Sequence, residues 1–95
     1  MTAVTITRND DTSRYEIRSD DVLAGFAEFE LRPGAVRFTH TEVDPAQQGK
    51  GYAGILVQHA LDDVRATTDL RVVPACSYVQ HFVERHQEYE ELTRR

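Results

Sequence analysis

Three of the chain's five glycines, Gly49, Gly51 and Gly54, fall within six residues, and a helical stripe begins inside that same stretch. From Ala53 onward the apolar residues Ala53, Leu56, Val57, Ala60, Leu61 and Val64 recur at the spacing of one face of an α-helix. A glycine turn that feeds straight into an amphipathic helix is the junction around which everything else must be arranged.

The segments before it read as strands. Residues 4–8 (VTITR) and 14–18 (RYEIR) alternate and are rich in β-formers, and the NDDTS between them is a set of turn formers, so the pair reads as a hairpin. A second hairpin is expected from Leu23–Arg32 and Ala35–Val43 around Pro33-Gly34, giving four antiparallel strands in series. After the helix, Leu70–Pro74 is short and almost wholly apolar, which predicts a central strand in a sheet covered on both faces. Ser77 is a candidate N-cap for a second helix carrying Val79, Phe82, Val83 and His86. Residues 1–95, without repeat or linker, are therefore expected to form a single α/β (α+β) domain, a mostly antiparallel sheet with two helices in its C-terminal half.

Charge and composition narrow the function. A formal charge of −5 argues against a broad nucleic-acid footprint. The start TAVTITRNDD after Met1 lacks the pattern of a signal peptide, and no apolar run approaches the ~18 residues that would span a membrane, so a cytoplasmic setting is expected. The single cysteine, Cys76, has no partner for an intramolecular disulfide.

A glycine-rich turn ahead of a helix leaves backbone N–H groups free at the positive end of the helix dipole, and Lys50 adds a full charge. That is the chemistry of an anion site, although a turn that only reverses the chain uses glycines too. A Walker-type loop would need G-x-x-x-x-G-K-[ST], and Lys50 lies between the glycines instead. A dinucleotide fold would need G-x-G-x-x-G within a parallel βαβ unit, whereas this loop follows a strand read as antiparallel.

The stretch Gln48-x-x-Gly51-x-Ala53 matches [QR]-x-x-G-x-[GA], and with two hairpins before it and a helix and apolar strand after it the chain resembles the GNAT-type N-acetyltransferases. The resemblance implies acetyl-CoA as acetyl donor. Gln48 and the backbone of Gly49, Lys50, Gly51, Tyr52, Ala53 and Gly54 would hold its pyrophosphate, and its pantetheine arm would add like a strand beside Thr41-Glu42-Val43. Val73-Pro74-Ala75-Cys76-Ser77-Tyr78-Val79 and Arg85-His86-Gln87-Glu88-Tyr89 are further similar to the small single-domain branch, whose pattern runs P-x-C-P-[FY]-V through R-H-P-E-Y. With Thr39–Val43 the likeness covers about two-thirds of the chain. Ser77 and Gln87 replace prolines of that pattern, and Phe82 stands where tyrosine is frequent.

Acetyl transfer to an amine needs a base, donors for the thioester oxyanion and a proton for the leaving thiolate. Backbone N–H groups near Val43 suit the oxyanion. His40 and Glu42 share strand parity and are the candidate bases on one face, the alternatives being a hydrogen-bonded sheet histidine and a solvated carboxylate. Cys76, at the end of a strand and before a helix, is a candidate nucleophile or a lining residue of the thioester pocket, the alternative being an inert packed thiol. Tyr78 is either a second proton donor or an aromatic anchor for the final helix. His81 and His86, five apart, fall on different helix faces and no second cysteine exists, so no metal site is expected. Asp62, Asp63 and Arg65 read as a solvated helix face. Arg85, Arg94 and Arg95 are candidates for the 3′-phosphate of coenzyme A, against a loose C-terminus.

The short NDDTS connection implies an open acceptor side, suited to a protein lysine, an N-terminus or a polyamine. Two other classes fit the same loop: a non-catalytic acyl-CoA sensor or carrier, and a nucleotide-binding regulator that prefers ATP.

Overall fold

Each turn of the antiparallel half is built by the residue types that favour it. The computed structural model describes residues 3–95. Strand β1 (Val4–Asn9) ends where the Asn9 side chain accepts the N–H groups of Asp11 and Thr12 (3.1 and 3.3 Å), and β2 (Arg14–Ser19) follows. Asp20 and Asp21, at φ 50° and 68°, form a two-residue left-handed turn into β3 (Val22–Arg32). Pro33-Gly34, with Gly34 at φ 74°, returns the chain into β4 (Ala35–Val43). Then come a 3-10 turn (Pro45–Gln47), α1 (Tyr52–Thr67), β5 (Arg71–Pro74), α2 (Ser77–Arg85) and a C-terminal 3-10 segment (Gln87–Arg94).

The sheet order is β1-β2-β3-β4-β5, so the four antiparallel strands in series are as expected, but two expectations are corrected. β5 is an edge strand, not a central one. Its apolar character has another cause: Val72 faces the core, and the C-terminal 3-10 segment packs against the strand. β5 also runs parallel to β4, so the glycine turn does lie in a β4-α1-β5 crossover. What separates this sheet from a dinucleotide-binding one is that its other three pairings are antiparallel.

The α1 stripe packs on the sheet. Leu56, Val57, Ala60, Leu61 and Val64 are buried with Tyr15, Ile17, Phe29 and Phe38. Tyr52 rather than Ala53 opens the stripe, and Ala53 is only half-buried. The charged residues of α1 fasten it in place: Asp63 accepts from Tyr15 Oη (2.6 Å) and Arg8 (3.2 Å), and Asp62 accepts from Tyr89 Oη (2.7 Å). Arg65 donates to Glu88 O (2.9 Å). Arg95 donates to the carbonyls of Thr68 (2.9 Å) and Leu70 (3.1 Å), and Arg94 pairs with Glu90. Both terminal arginines therefore lie at the C-terminal end of α1, about 24 Å of helix away from the glycine turn, which removes them as phosphate ligands. Among the described residues no helix is long and apolar enough to cross a membrane.

Candidate active site

A slip in strand register decides which side chains reach the site. Phe29 pairs with Phe38 but Glu28 pairs with His40, so Thr39 is an extra residue, a β-bulge that reverses the parity of everything after it. Phe38 points into the core beneath the helices. Beyond the bulge Thr41 and Val43 keep to that side, and His40 and Glu42 project from the opposite, helix-free face. They do share a face, as parity predicts, with His40 Nε2 and Glu42 Oε1 3.2 Å apart. Gly25 allows β3 to close on this end of β4, because a Cβ there would stand 2.5 Å from Glu42 O.

The outer edge of β4 is half free. β5 pairs with Ala35–Phe38 only, and the last backbone tie between the two segments is Cys76 N–H to Phe38 O at 2.8 Å. Asp44 N–H turns toward β3, to Ala24 O (2.7 Å), so the alternation of the strand aims the N–H and C=O of Thr41 and Val43 outward. Gln48 confirms the direction by donating its side-chain amide to Val43 O (3.4 Å).

Facing that edge is the glycine turn. Gly49 (φ 83°) and Gly51 (φ 75°) are left-handed on either side of Lys50, an alternation that turns successive N–H groups to one side. No side chain caps α1 among the described residues, so the N–H groups of its first turn are unpaired. A Cβ at Gly49 or Gly51 would meet nothing within 4 Å; it is backbone conformation that requires glycine there. Tyr52 holds the turn from below, its buried hydroxyl donating to Ser19 Oγ (3.1 Å).

Together these parts enclose a cleft of about 340 Å³, lined by Thr41, Val43, Gln48, Gly49, Gly51, Tyr52, Ala53 and Gly54 among the expected residues. Two further residues complete it. Gln47 comes from the 3-10 turn that Asp44 caps through Ala46 N–H (2.8 Å), a capping pattern legible in DPAQ. Tyr78 is not an anchor for α2: it is 40% exposed and borders the cleft, its Oη 3.6 Å from where a Gly54 Cβ would be. Lys50 turns to the rim and donates to Gln47 Oε1 (3.1 Å).

Cys76 stands behind Thr41 and is itself the N-cap of α2, displacing Ser77, which is the first helical residue. Its half-buried Sγ donates to Thr41 Oγ1 at 3.6 Å. Burial alone would push the thiol up, but the Val79 amide, the Thr41 hydroxyl and the Tyr78 amide outweigh it and hold the thiol below its ordinary value. Phe82 is buried and stacks on His86 (4.0 Å between centroids), whose Nδ1 contacts Phe82 O (2.9 Å). His81 lies 3.7 Å from Glu84.

The helix-free face has its own order. Phe26, across from Glu42, lies under the Arg14 guanidinium (4.5 Å) with the His40 ring 6.0 Å away. Beside it Glu16 is only 3% exposed despite having no helix above it, clamped by Arg14 (2.6 Å) and Arg18 (3.0 Å). Those two cations outweigh the cost of burial and hold its carboxyl below the usual range.

A model of the family described as GCN5-related N-acetyl-transferase matches residues 14–92. No curated protein matches the chain. Among solved structures, the chain is similar to a ribosomal-protein-alanine N-acetyltransferase from Brucella melitensis biovar Abortus, at 22% identity and a TM-score of 0.54. The alignment takes in 87% of this chain and 64% of that one, so this chain spans less than two thirds of that structure's length.

Proposed function

Because the chain belongs to the GCN5-related N-acetyltransferase family, we propose that it transfers the acetyl group of acetyl-CoA to the amine of an open-access acceptor, a protein lysine, an N-terminus or a polyamine. The observation that carries this reading is the uncapped, twice left-handed glycine turn set against the free edge of β4. Such a turn suits a pyrophosphate, and a strand edge with unpaired amides suits the amide-bearing pantetheine arm. The donor supplies an activated thioester; the protein supplies position and proton movement. The outward N–H groups of Thr41 and Val43 are aimed where a thioester oxygen gains charge. Since β4 is the last strand beyond Phe38, a group lying along its edge meets both faces of the sheet. Thr41 and Cys76 reach it from one side, and His40 with Glu42 from the other, where an amine approaches over Phe26. Glu42 or His40, 3.2 Å apart, takes the amine proton. Tyr78 Oη, at the cleft, is the donor available to the leaving thiolate, and the buried Phe82 has no hydroxyl to compete. The work is placed in the cytoplasm, where a lone thiol stays reduced.

Cys76 adds a covalent route: Sγ takes the acetyl carbon, its proton passes to the departing sulfur, and the acceptor nitrogen then displaces Sγ, which regains a proton from the amine. Intact-mass analysis after mixing with acetyl-CoA tests it alongside transfer to a panel of peptides and polyamines. Wild type is expected to gain one acetyl group that hydroxylamine removes, Cys76→Ala none. No adduct under rapid quench, with undiminished transfer by Cys76→Ala, would leave Cys76 as a packed thiol behind Thr41, outside the lining of the cleft. Binding of acetyl-CoA without transfer to any acceptor would favour the sensor or carrier. A preference for ATP would favour the nucleotide-binding regulator.

A further inference from the structure

A small pocket of about 140 Å³ lies across β4 from the cleft. Val43 lines the cleft, while its neighbours Glu42 and Asp44 line the pocket together with Leu23, Phe26 and Pro45. Its volume is below that of a site for a whole drug-sized ligand and suits one arm of a larger one. Half-buried Leu23 and Phe26, with Pro45, give it apolar walls, and the two carboxylates are its only charges. Nothing in the transfer chemistry above uses Asp44.

The second observation is how the helix-free face balances its charges. Glu16 is held by Arg14 and Arg18, and Glu30 by Arg32 and Arg37. Among the described residues no arginine or lysine engages Glu28, Glu42 or Asp44, and these three border the stretch of β4 that has left β5. Glu42 meets only His40. Asp44 places Oδ1 on the Ala46 N–H (2.8 Å), and its other oxygen has no partner among the described residues. In a chain of net charge −5, arginines are thus spent on carboxylates away from the pocket and withheld from those that line it. An unbranched aminoalkyl chain matches both features, since its methylenes lie on apolar walls while its charged end takes a carboxylate.

We propose that this pocket is a subsite for a second cation of the acceptor, with Asp44 as the residue that selects it. The preferred acceptor is a primary amine that carries another cationic group a short alkyl chain away, supplied by a polyamine or by a basic residue beside an acceptor lysine. This rests on the acetyl-transfer reading above and narrows it: an amine without a second cation is the poorer substrate. The difference is about fivefold, the upper range for an exposed ion pair.

Initial-rate kinetics at saturating acetyl-CoA, with diaminobutane and aminobutanol as acceptors for wild type and Asp44→Asn, test the proposal. The asparagine keeps an oxygen for the Ala46 N–H. In wild type kcat/KM should be about fivefold higher for the diamine, counted per amine, with the difference residing in KM and shrinking as salt is added. Asp44→Asn should bring the two acceptors to parity. A parallel pair of lysine peptides, with arginine or alanine beside the acceptor lysine, tells the sources apart: a preference confined to the amines assigns the second cation to a polyamine, and one confined to the peptides assigns it to a basic protein segment. Equal use of both members of each pair by wild type, or a preference that survives in Asp44→Asn, would overturn the subsite with the transfer reading intact. Transfer to no acceptor at all would overturn both.

Discussion

Replacing Gly51 by valine is expected to lower acetyl-CoA affinity at least 100-fold, about 2.7 kcal/mol, in a calorimetric titration. Two effects combine. At φ 75° a β-branched residue is a severe backbone outlier, so the turn is distorted, and the added methyls project into the path of the phosphates. Gly51→Asn separates them, because asparagine tolerates the left-handed region and its Cβ meets nothing within 4 Å. If the Asn variant binds as wild type does, the phosphate does not pass Gly51 and the assignment of the turn is wrong.

Leu61→Ala should cost about 2–5 kcal/mol of stability by denaturant melts, with the slope unchanged. Leu61 is 1% exposed at the centre of the α1 stripe, so its truncation leaves a cavity between helix and sheet. Leu31→Ala is the matched control. Leu31 is 66% exposed, and its loss should move stability by no more than about 0.5 kcal/mol. Equal effects of the two changes would contradict the packing of α1.

The parts legible in the sequence were those written in short-range pattern. Alternation, turn chemistry at Asn9 and Pro33-Gly34, and the stripe from Leu56 to Val64 depend on neighbours within a few residues, and the glycine turn announces its own backbone needs. What escaped depends on partners distant in sequence. The bulge at Thr39 reverses side-chain parity without altering alternation enough to be read, so His40 and Glu42 could be put on one face but not on the correct side of the sheet. An apolar strand looks central whether it is flanked by strands or packed by a C-terminal segment, as β5 is. Asp62 and Asp63 look solvated because nothing local says that Tyr89 and Tyr15 arrive beside them. Tyr78, readable as either a proton donor or an anchor of the final helix, is assigned to the cleft only by where α2 is placed.

The order of the strands bears on how the molecule assembles. β1 to β4 each pair with the next in line across turns of a few residues, so the meander closes at small cost in loop entropy. β5 alone must wait for residues 44–70 to be laid down and docked before it can find Ala35–Phe38. The cleft is bounded by the place where β5 leaves β4, so it depends on a pairing of only four residue pairs at a sheet edge, a place suited to local opening. A ligand that binds only the finished cleft acts as a latch on it. Saturating coenzyme A should slow amide hydrogen exchange at Arg71 and Val73, whose N–H groups face β4, more than in β2; equal slowing in both strands would mean that the sheet opens as one unit.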